Sequence, residues 1–222
     1  MKFGSFQELR IANLLGFNPK EFGRIFAFVD YGNVQHWYED QRRKSDGTRL
    51  KPNEIFYVDI WKLGKFLDSF VGHKRFYYGH IPSKPATLHI VALAKKCGFI
   101  KITKPVHRAR HYLMPYDRIG DRVKVYKDDF GKDYILIPKC NFDVEITLDA
   151  LRRLKDYDTF LLLSSDRDFE KLLLFLKRKN KKVILIGGGY ISNDLRKYAH
   201  RFVHANRIKD SISSIKEIKA RS

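Results

Sequence analysis

Residues 159–163, Thr-Phe-Leu-Leu-Leu, form an apolar run of strand length that stops abruptly at Ser164-Ser165-Asp166-Arg167-Asp168. A strand without polar alternation has no face to offer water and must be buried on both sides. A second such run, Arg24 to Val29, ends in Asp30, with Asn33 three residues on. Around these two, helical and strand patterns alternate. Asp59 is a plausible N-cap for a helix in which Ile60, Leu63, Phe66, Leu67 and Phe70 recur at helical spacing. The pattern continues as strand 75–78, helix 85–97 ending at Gly98, strand 99–103, helix 142–154, strand 159–164 and helix 168–179. Strand 182–186, a short helix at 193–198 and strand 201–204 complete it. Such alternation predicts an α/β fold with a mostly parallel sheet flanked by helices. Ligands of such sheets collect beyond the carboxyl ends of the strands, where Asp30, Asp166 and Asp168 would stand.

Three stretches stand outside the alternation. Residues 1–23 read as an N-terminal helical segment, with a short amphipathic helix at 6–15 closed by Gly16 and Asn18-Pro19. Residues 41–54 are polar and rich in turn formers, which predicts an exposed loop. Residues 106–138 mix basic, aromatic and apolar residues around turns at Gly120-Asp121 and Asp129-Phe130-Gly131, the chemistry of an inserted β-hairpin. The expected organisation is therefore a central domain over 24–206 carrying this insertion, followed by a basic C-terminal tail at 207–222.

Charge narrows the function. With 44 Lys and Arg against 25 Asp and Glu, the chain carries a formal +19, which points to a polyanionic partner, nucleic acid first. Yet residues 143–170 hold eight of the acids and only four of the basic residues. A local acidic knot in a basic protein suggests a cation held by carboxylates beside a phosphate-attracting surface. No run of 18 apolar residues occurs and the N-terminus lacks the apolar core of a signal peptide, so neither membrane nor secretion is expected. Cys97 and Cys140 form no metal-binding spacing and read as reduced thiols of a cytoplasmic protein. Gly187-Gly188-Gly189 lacks the Lys-Ser/Thr ending of a P-loop and reads as a turn.

Each acid also has a bland reading. Asp168 or Asp143 would serve as a helix cap, Asp30 with Asn33 as an Asx turn, and Asp149 as a helical partner of Arg152 or Arg153. Together these readings require four acids to gather at strand ends by chance. Carboxylates with the hydroxyls of Ser164 and Ser165 and the amide of Asn33, without local His or Cys, favour Mg²⁺ or Mn²⁺ over Zn²⁺.

Phe28-Val29-Asp30-Tyr31-Gly32-Asn33 resembles the first-strand motif of NYN domains, a LabA-like branch of the PIN-like nucleases. Lys139-Cys140-Asn141-Phe142-Asp143-Val144, with Asp149 six residues after Asp143, resembles the second motif. Leu163-Ser164-Ser165-Asp166-Arg167-Asp168-Phe169 resembles the third, usually written Ser-Gly-Asp-x-Asp-Phe. The resemblance covers 24–206. It implies a PIN-like sheet and a Mg²⁺- or Mn²⁺-dependent ribonuclease with Asp30, Asp143, Asp166 and Asp168 as metal-binding and catalytic residues. Asn33, Asp149, Ser164 and Ser165 would support them. Ser165 stands where the family has glycine, which would constrain the loop if that position needs positive φ. The insertion is not part of the family pattern.

In the insertion, Arg108, Arg110, Arg122 and Lys124 interleave with Tyr112 and Tyr126, a mixture that suits phosphates and unpaired bases together. Single-stranded RNA is the expected partner, with a homodimer or other protein contact as the alternative use of the hairpin. Two functions remain open: a metal-dependent endoribonuclease, and a nucleic-acid-binding regulatory module with weak or no catalysis.

Overall fold

The run at 159–163 is buried on both faces: every residue from Thr159 to Leu163 is inaccessible to water. The computed structural model describes residues 6–119 and 123–218. In chain order these form α1 (Phe6–Leu15), β1 (Ile25–Asp30), α2 (Tyr31–Val34), β2 (Glu54–Val58), α3 (Ile60–Asp68), β3 (His73–His80), α4 (Pro85–Lys96) and β4 (Ile100–Pro105). The insertion contributes β5 (His107–Tyr112), β6 (Val125–Lys127) and β7 (Asp133–Lys139). There follow α5 (Asp143–Arg152), β8 (Thr159–Leu163), α6 (Glu170–Arg178), β9 (Lys182–Gly187), α7 (Asn193–Arg196), β10 (Arg201–His204), α8 (Lys209–Ile212) and β11 (Ser213–Glu217).

Six strands form one parallel sheet in the order β10-β9-β8-β1-β3-β4. Successive residues of its strands feed two cores. Ala27, Val29, Leu161, Leu163, Ile184 and Ile186 point to the side covered by α1, α3 and α4. Phe28, Phe160, Leu162, Val183 and Leu185 point to the side covered by α5, α6 and α7. Two buried faces explain the unbroken apolar runs. From β1 the chain winds outward to β3 and β4, then returns to β8 and winds the other way. The sense reverses between β1 and β8, and such a switch opens a crevice at the carboxyl ends.

Local signals hold in detail. Asp59 caps α3 by accepting from Trp61 N at 2.9 Å and Lys62 N at 3.2 Å. The turn at 128–131 closes on Gly131, at φ +76°, with Asp128 accepting from Phe130 N and Lys132 N, both at 2.9 Å. Elsewhere the structure departs from expectation. The insertion is a three-stranded antiparallel sheet, β5-β7-β6, rather than a simple hairpin, and its Gly120-Asp121 turn and Arg122 lie outside the described residues. The helix expected from 168 begins as a 3₁₀ turn, Arg167–Phe169, before α6. The first part of the expected tail is folded: β11 pairs antiparallel with β2, and Ile208 and Ile212 are buried in the core.

Candidate metal centre and nucleic-acid face

Strand register builds the site. Val29 of β1 pairs with Leu163 of β8, so the next residues, Asp30 and Ser164, emerge side by side. Ser164 is fully buried; its Oγ donates to Asp30 Oδ2 at 3.0 Å and accepts from Asp166 N at 3.1 Å. Asp166 Oδ1 in turn accepts from Asp168 N at 3.0 Å, so Asp166 caps the 3₁₀ turn. Asp168 does not cap the helix: it lies within the 3₁₀ turn, and Phe169 occupies the N-cap of α6. Nor does Asp143 cap α5, of which it is the first residue.

Asn33 and Ser165 tie three loops together. Asn33 Oδ1 accepts from Ser165 N at 3.0 Å and from Trp37 Nε1 at 3.1 Å. Ser165 Oγ donates to Gly188 O at 2.6 Å and accepts from Gly188 N at 3.0 Å. A Cβ on Gly188 would lie 2.6 Å from Trp37 Cγ, so the glycine turn is required for this close approach. Ser165 costs no backbone strain, since Asn180 is the one non-glycine at positive φ among the described residues.

Oxygens of Asp143, Asp166 and Asp168 all lie within 4.8 Å of one another. Asp30 stands outside that trio but lines a cleft of about 450 Å³ with Asp143, Asp166 and Asn33. Burial first, and then the neighbouring Asp143 and Asp166 carboxylates, push the Asp30 carboxyl up to about 6 against the pull of the Ser164 hydroxyl. Burial and the charges of Asp166 and Asp168 also raise Asp143. Lys104 offsets the rise at Asp143 only in part. Arg167 turns away to Asp194 at 3.1 Å, Lys104 pairs with Glu145 at 2.6 Å, and among the described residues no Lys or Arg forms an ion pair with Asp30, Asp143, Asp166 or Asp168. Clustered carboxylate oxygens without a counter-cation are a hard-donor set suited to a divalent ion such as Mg²⁺ or Mn²⁺.

Asp149 is placed otherwise. Its Oδ2 accepts from Arg75 Nη2 at 2.7 Å, Arg75 Nε at 3.1 Å and Tyr77 Oη at 2.8 Å. The alternative pairing with Arg152 or Arg153 does not form, because Asp149 shares the sheet-facing side of α5 with the buried Ile146 and Ala150. Arg153 instead meets Asp156. Asp149 thus anchors the helix that presents Asp143.

The sequence reading missed other residues of the cleft, notably His36, Tyr78 and Cys140. His36 Nδ1 lies 2.9 Å from Glu39 Oε2. Its spacing of three from Asn33 on a turn of helix was the available signal. Burial pushes the Cys140 thiol up, and its Sγ would sit 2.7 Å from a Cβ at Gly79.

In the insertion, Arg108, Arg110 and Tyr112 of β5 pair with Pro138, Leu136 and Tyr134 of β7, and Tyr126 of β6 also pairs with Tyr134. Directly opposed residues share a face. Arg108, Arg110, Tyr112 and Tyr126 therefore stand on one side of this sheet, with Lys124 Nζ 5.0 Å from the Tyr126 ring.

Residues 24–206 match the NYN domain family. The chain belongs to that family. A 75-residue stretch is 31% identical to the low amplitude and bright protein LabA of Synechococcus elongatus, covering 33% of this chain and 40% of that protein. The chain thus spans about two fifths of that relative's length. A solved structure of a protein of unknown function from Vibrio parahaemolyticus aligns with a TM-score of 0.55 at 22% identity, over 86% of this chain and 96% of that one. This likeness concerns the fold alone. The NYN domain here is a PIN-like α/β domain of a nuclease-type family whose members typically use divalent metals, and it carries an acidic group able to hold one. No helix among the described residues is long and apolar enough to cross a membrane.

Proposed function

We propose that this NYN domain is a Mg²⁺- or Mn²⁺-dependent endoribonuclease that hydrolyses phosphodiester bonds at a four-aspartate centre. The observation that carries the reading is the convergence of Asp143, Asp166 and Asp168 within 4.8 Å, with no ion-paired Lys or Arg among the described residues, at the switch point of the sheet. These three would hold the ion. Asp30, with Oδ2 fixed by Ser164, would complete the set from the floor of the cleft. A divalent ion supplies charge stabilisation at the phosphodiester and acidifies water for attack. The chain's own part is to hold four carboxylates in place, their crowding leaving the ionised forms to be stabilised by the cation. Ser164 bridges Asp30 to the Asp166 backbone, Asn33 fixes the Ser165 backbone, and Asp149 fixes α5. A formal charge of +19 supports a polyanionic substrate, and free thiols at Cys97 and Cys140 support a reducing, cytoplasmic setting.

The test is cleavage of linear and circular single-stranded RNA, and of DNA of the same sequence, in EDTA, Mg²⁺ and Mn²⁺. The reading requires metal-dependent cutting of both RNA forms. Cutting of DNA alone would refute the substrate. Binding of RNA without cutting in either metal would establish the non-catalytic regulatory module instead.

A further inference from the structure

We propose that the basic, aromatic face of the inserted sheet is a track for a single RNA strand leading directly into the acidic cleft. The proposal rests on RNA being the substrate of that cleft. Its first support is continuity. A second cleft, of about 280 Å³, shares Ile81, Val106 and Pro138 with the acidic one. Its remaining wall carries Lys84, Arg108, Lys124 and Tyr126. A polymer threading the acidic cleft on this side meets these cations next.

The second support is composition by face. Beyond Arg108 the same side of the sheet continues through Arg110, whose guanidinium lies 5.0 Å over the Tyr134 ring, to Tyr112, which is 44% exposed. Tyr126 stacks on Tyr134 at 5.5 Å. Cations alternating with aromatic rings match a strand whose phosphates and unstacked bases are both accessible, and a duplex offers only the former. From Arg108 to Tyr112 the face runs about 13 Å, at roughly 3.3 Å per residue.

The third support is where the face ends. The tip of the insertion exposes Met114, Tyr116 and Phe130 among Asp117, Asp128 and Asp129. Arg118, Lys127 and Lys132 balance these carboxylates, so the excess of cations that marks the face ends at the tip.

The experiment measures binding of a fluorescent 12-nucleotide single-stranded RNA by anisotropy across a KCl series, in EDTA so that no cleavage occurs. Wild type is compared with Lys84→Ala, Arg108→Ala, Arg110→Ala and Lys124→Ala combined. Lost contacts should lower the slope of log affinity against log salt by roughly 3, at about 0.7 per phosphate. A control carries Lys171→Ala, Lys177→Ala, Arg178→Ala and Lys179→Ala on and just beyond α6, outside both clefts, and should keep the wild-type slope. Tyr112→Ala alone should weaken binding about tenfold with the slope unchanged, through lost base stacking.

An equal fall in both quadruple variants, or in neither, overturns the track and leaves the nuclease reading intact. A selective fall in a protein that cleaves nothing supports the track and sinks the nuclease reading. An unchanged slope with an altered sedimentation mass makes the face a contact between two copies of the chain and overturns the proposal.

Discussion

Asp143 and Asp149 stand six residues apart on one helix and have opposite surroundings. Asp149 receives three hydrogen bonds from Arg75 and Tyr77 on β3. Asp143 has two further carboxylates within 4.8 Å and, among the described residues, no ion-pair partner. A carboxylate that is paired and satisfied holds helix to sheet. Carboxylates crowded without a partner repel one another, and persist where a function requires them. What separates the two is position over the sheet: one lies above the body of β3, the other above the carboxyl ends of β1 and β8. Of two acids in one motif, Asp149 therefore serves structure, and Asp143 is the one available to the proposed chemistry.

The comparison breaks most readily at Asp166. Asp166→Asn keeps an oxygen able to accept from Asp168 N, so the turn survives while a ligand charge is lost. Cleavage should fall on the order of 10³-fold, corresponding to about 4 kcal/mol of transition-state stabilisation. The melting temperature should hold or rise. An active variant, or an unfolded one, would return Asp166 to a structural role.

Asp149→Ala should show the reverse. It strands Arg75, only 8% exposed, without its carboxylate, and denaturant melts should record a loss of about 3 kcal/mol. A stability change below about 0.5 kcal/mol would erase the distinction drawn between the two acids.

The pH dependence of the metal-free protein sharpens it further. Asp30 titrates near 6 when folded, above its ordinary range, so the folded state binds this proton more tightly than the unfolded chain. Its contribution to stability is complete below pH ~4 and is lost as pH rises through 6. In EDTA, Asp30→Asn should therefore gain on wild type by roughly 2 kcal/mol between pH 4 and pH 7. Parallel pH profiles for the two proteins would mean that ionised Asp30 costs the fold nothing.

The smallest structural effect is expected at Asp168, which is exposed and caps nothing. Asp168→Ser should leave stability within about 0.5 kcal/mol of wild type while lowering cleavage at least tenfold. Full activity would remove it from the centre.

The sheet was legible because its inner strands are buried on both faces, and continuous apolar runs such as Phe160–Leu163 announce themselves. The pairing of β2 with β11 was not. Ser213–Glu217 has no apolar run, and its partner lies more than 150 residues earlier, so nothing local marks it. The acidic cluster was legible from the motifs at Asp143, Asp166 and Asp168, which the fold brings together, while Asp30 at the end of β1 lines the same cleft outside that trio. Asp149 was named as a supporting residue, but its partner was hidden: helical spacing offers Arg152 and Arg153, whereas the observed partner, Arg75, is 74 residues away. Capping by Asp168 was equally plausible from spacing, and was decided by a 3₁₀ turn that places Asp166 at the cap instead. On the insertion, the mixture of basic and aromatic residues was legible, but only the pairing of β5 and β6 with β7 brings Arg108, Arg110, Tyr112 and Tyr126 to one side.

Whether these acids hold a divalent cation is read, without relying on catalysis, from thermal unfolding of wild type and D166N against Mn²⁺ concentration. An ion that binds only the folded state stabilises it by about 2.7 kcal/mol at 100 times Kd. The wild-type midpoint should rise saturably while that of D166N stays flat. The same rise in both proteins, or none in either, would mean that the acids hold no such ion.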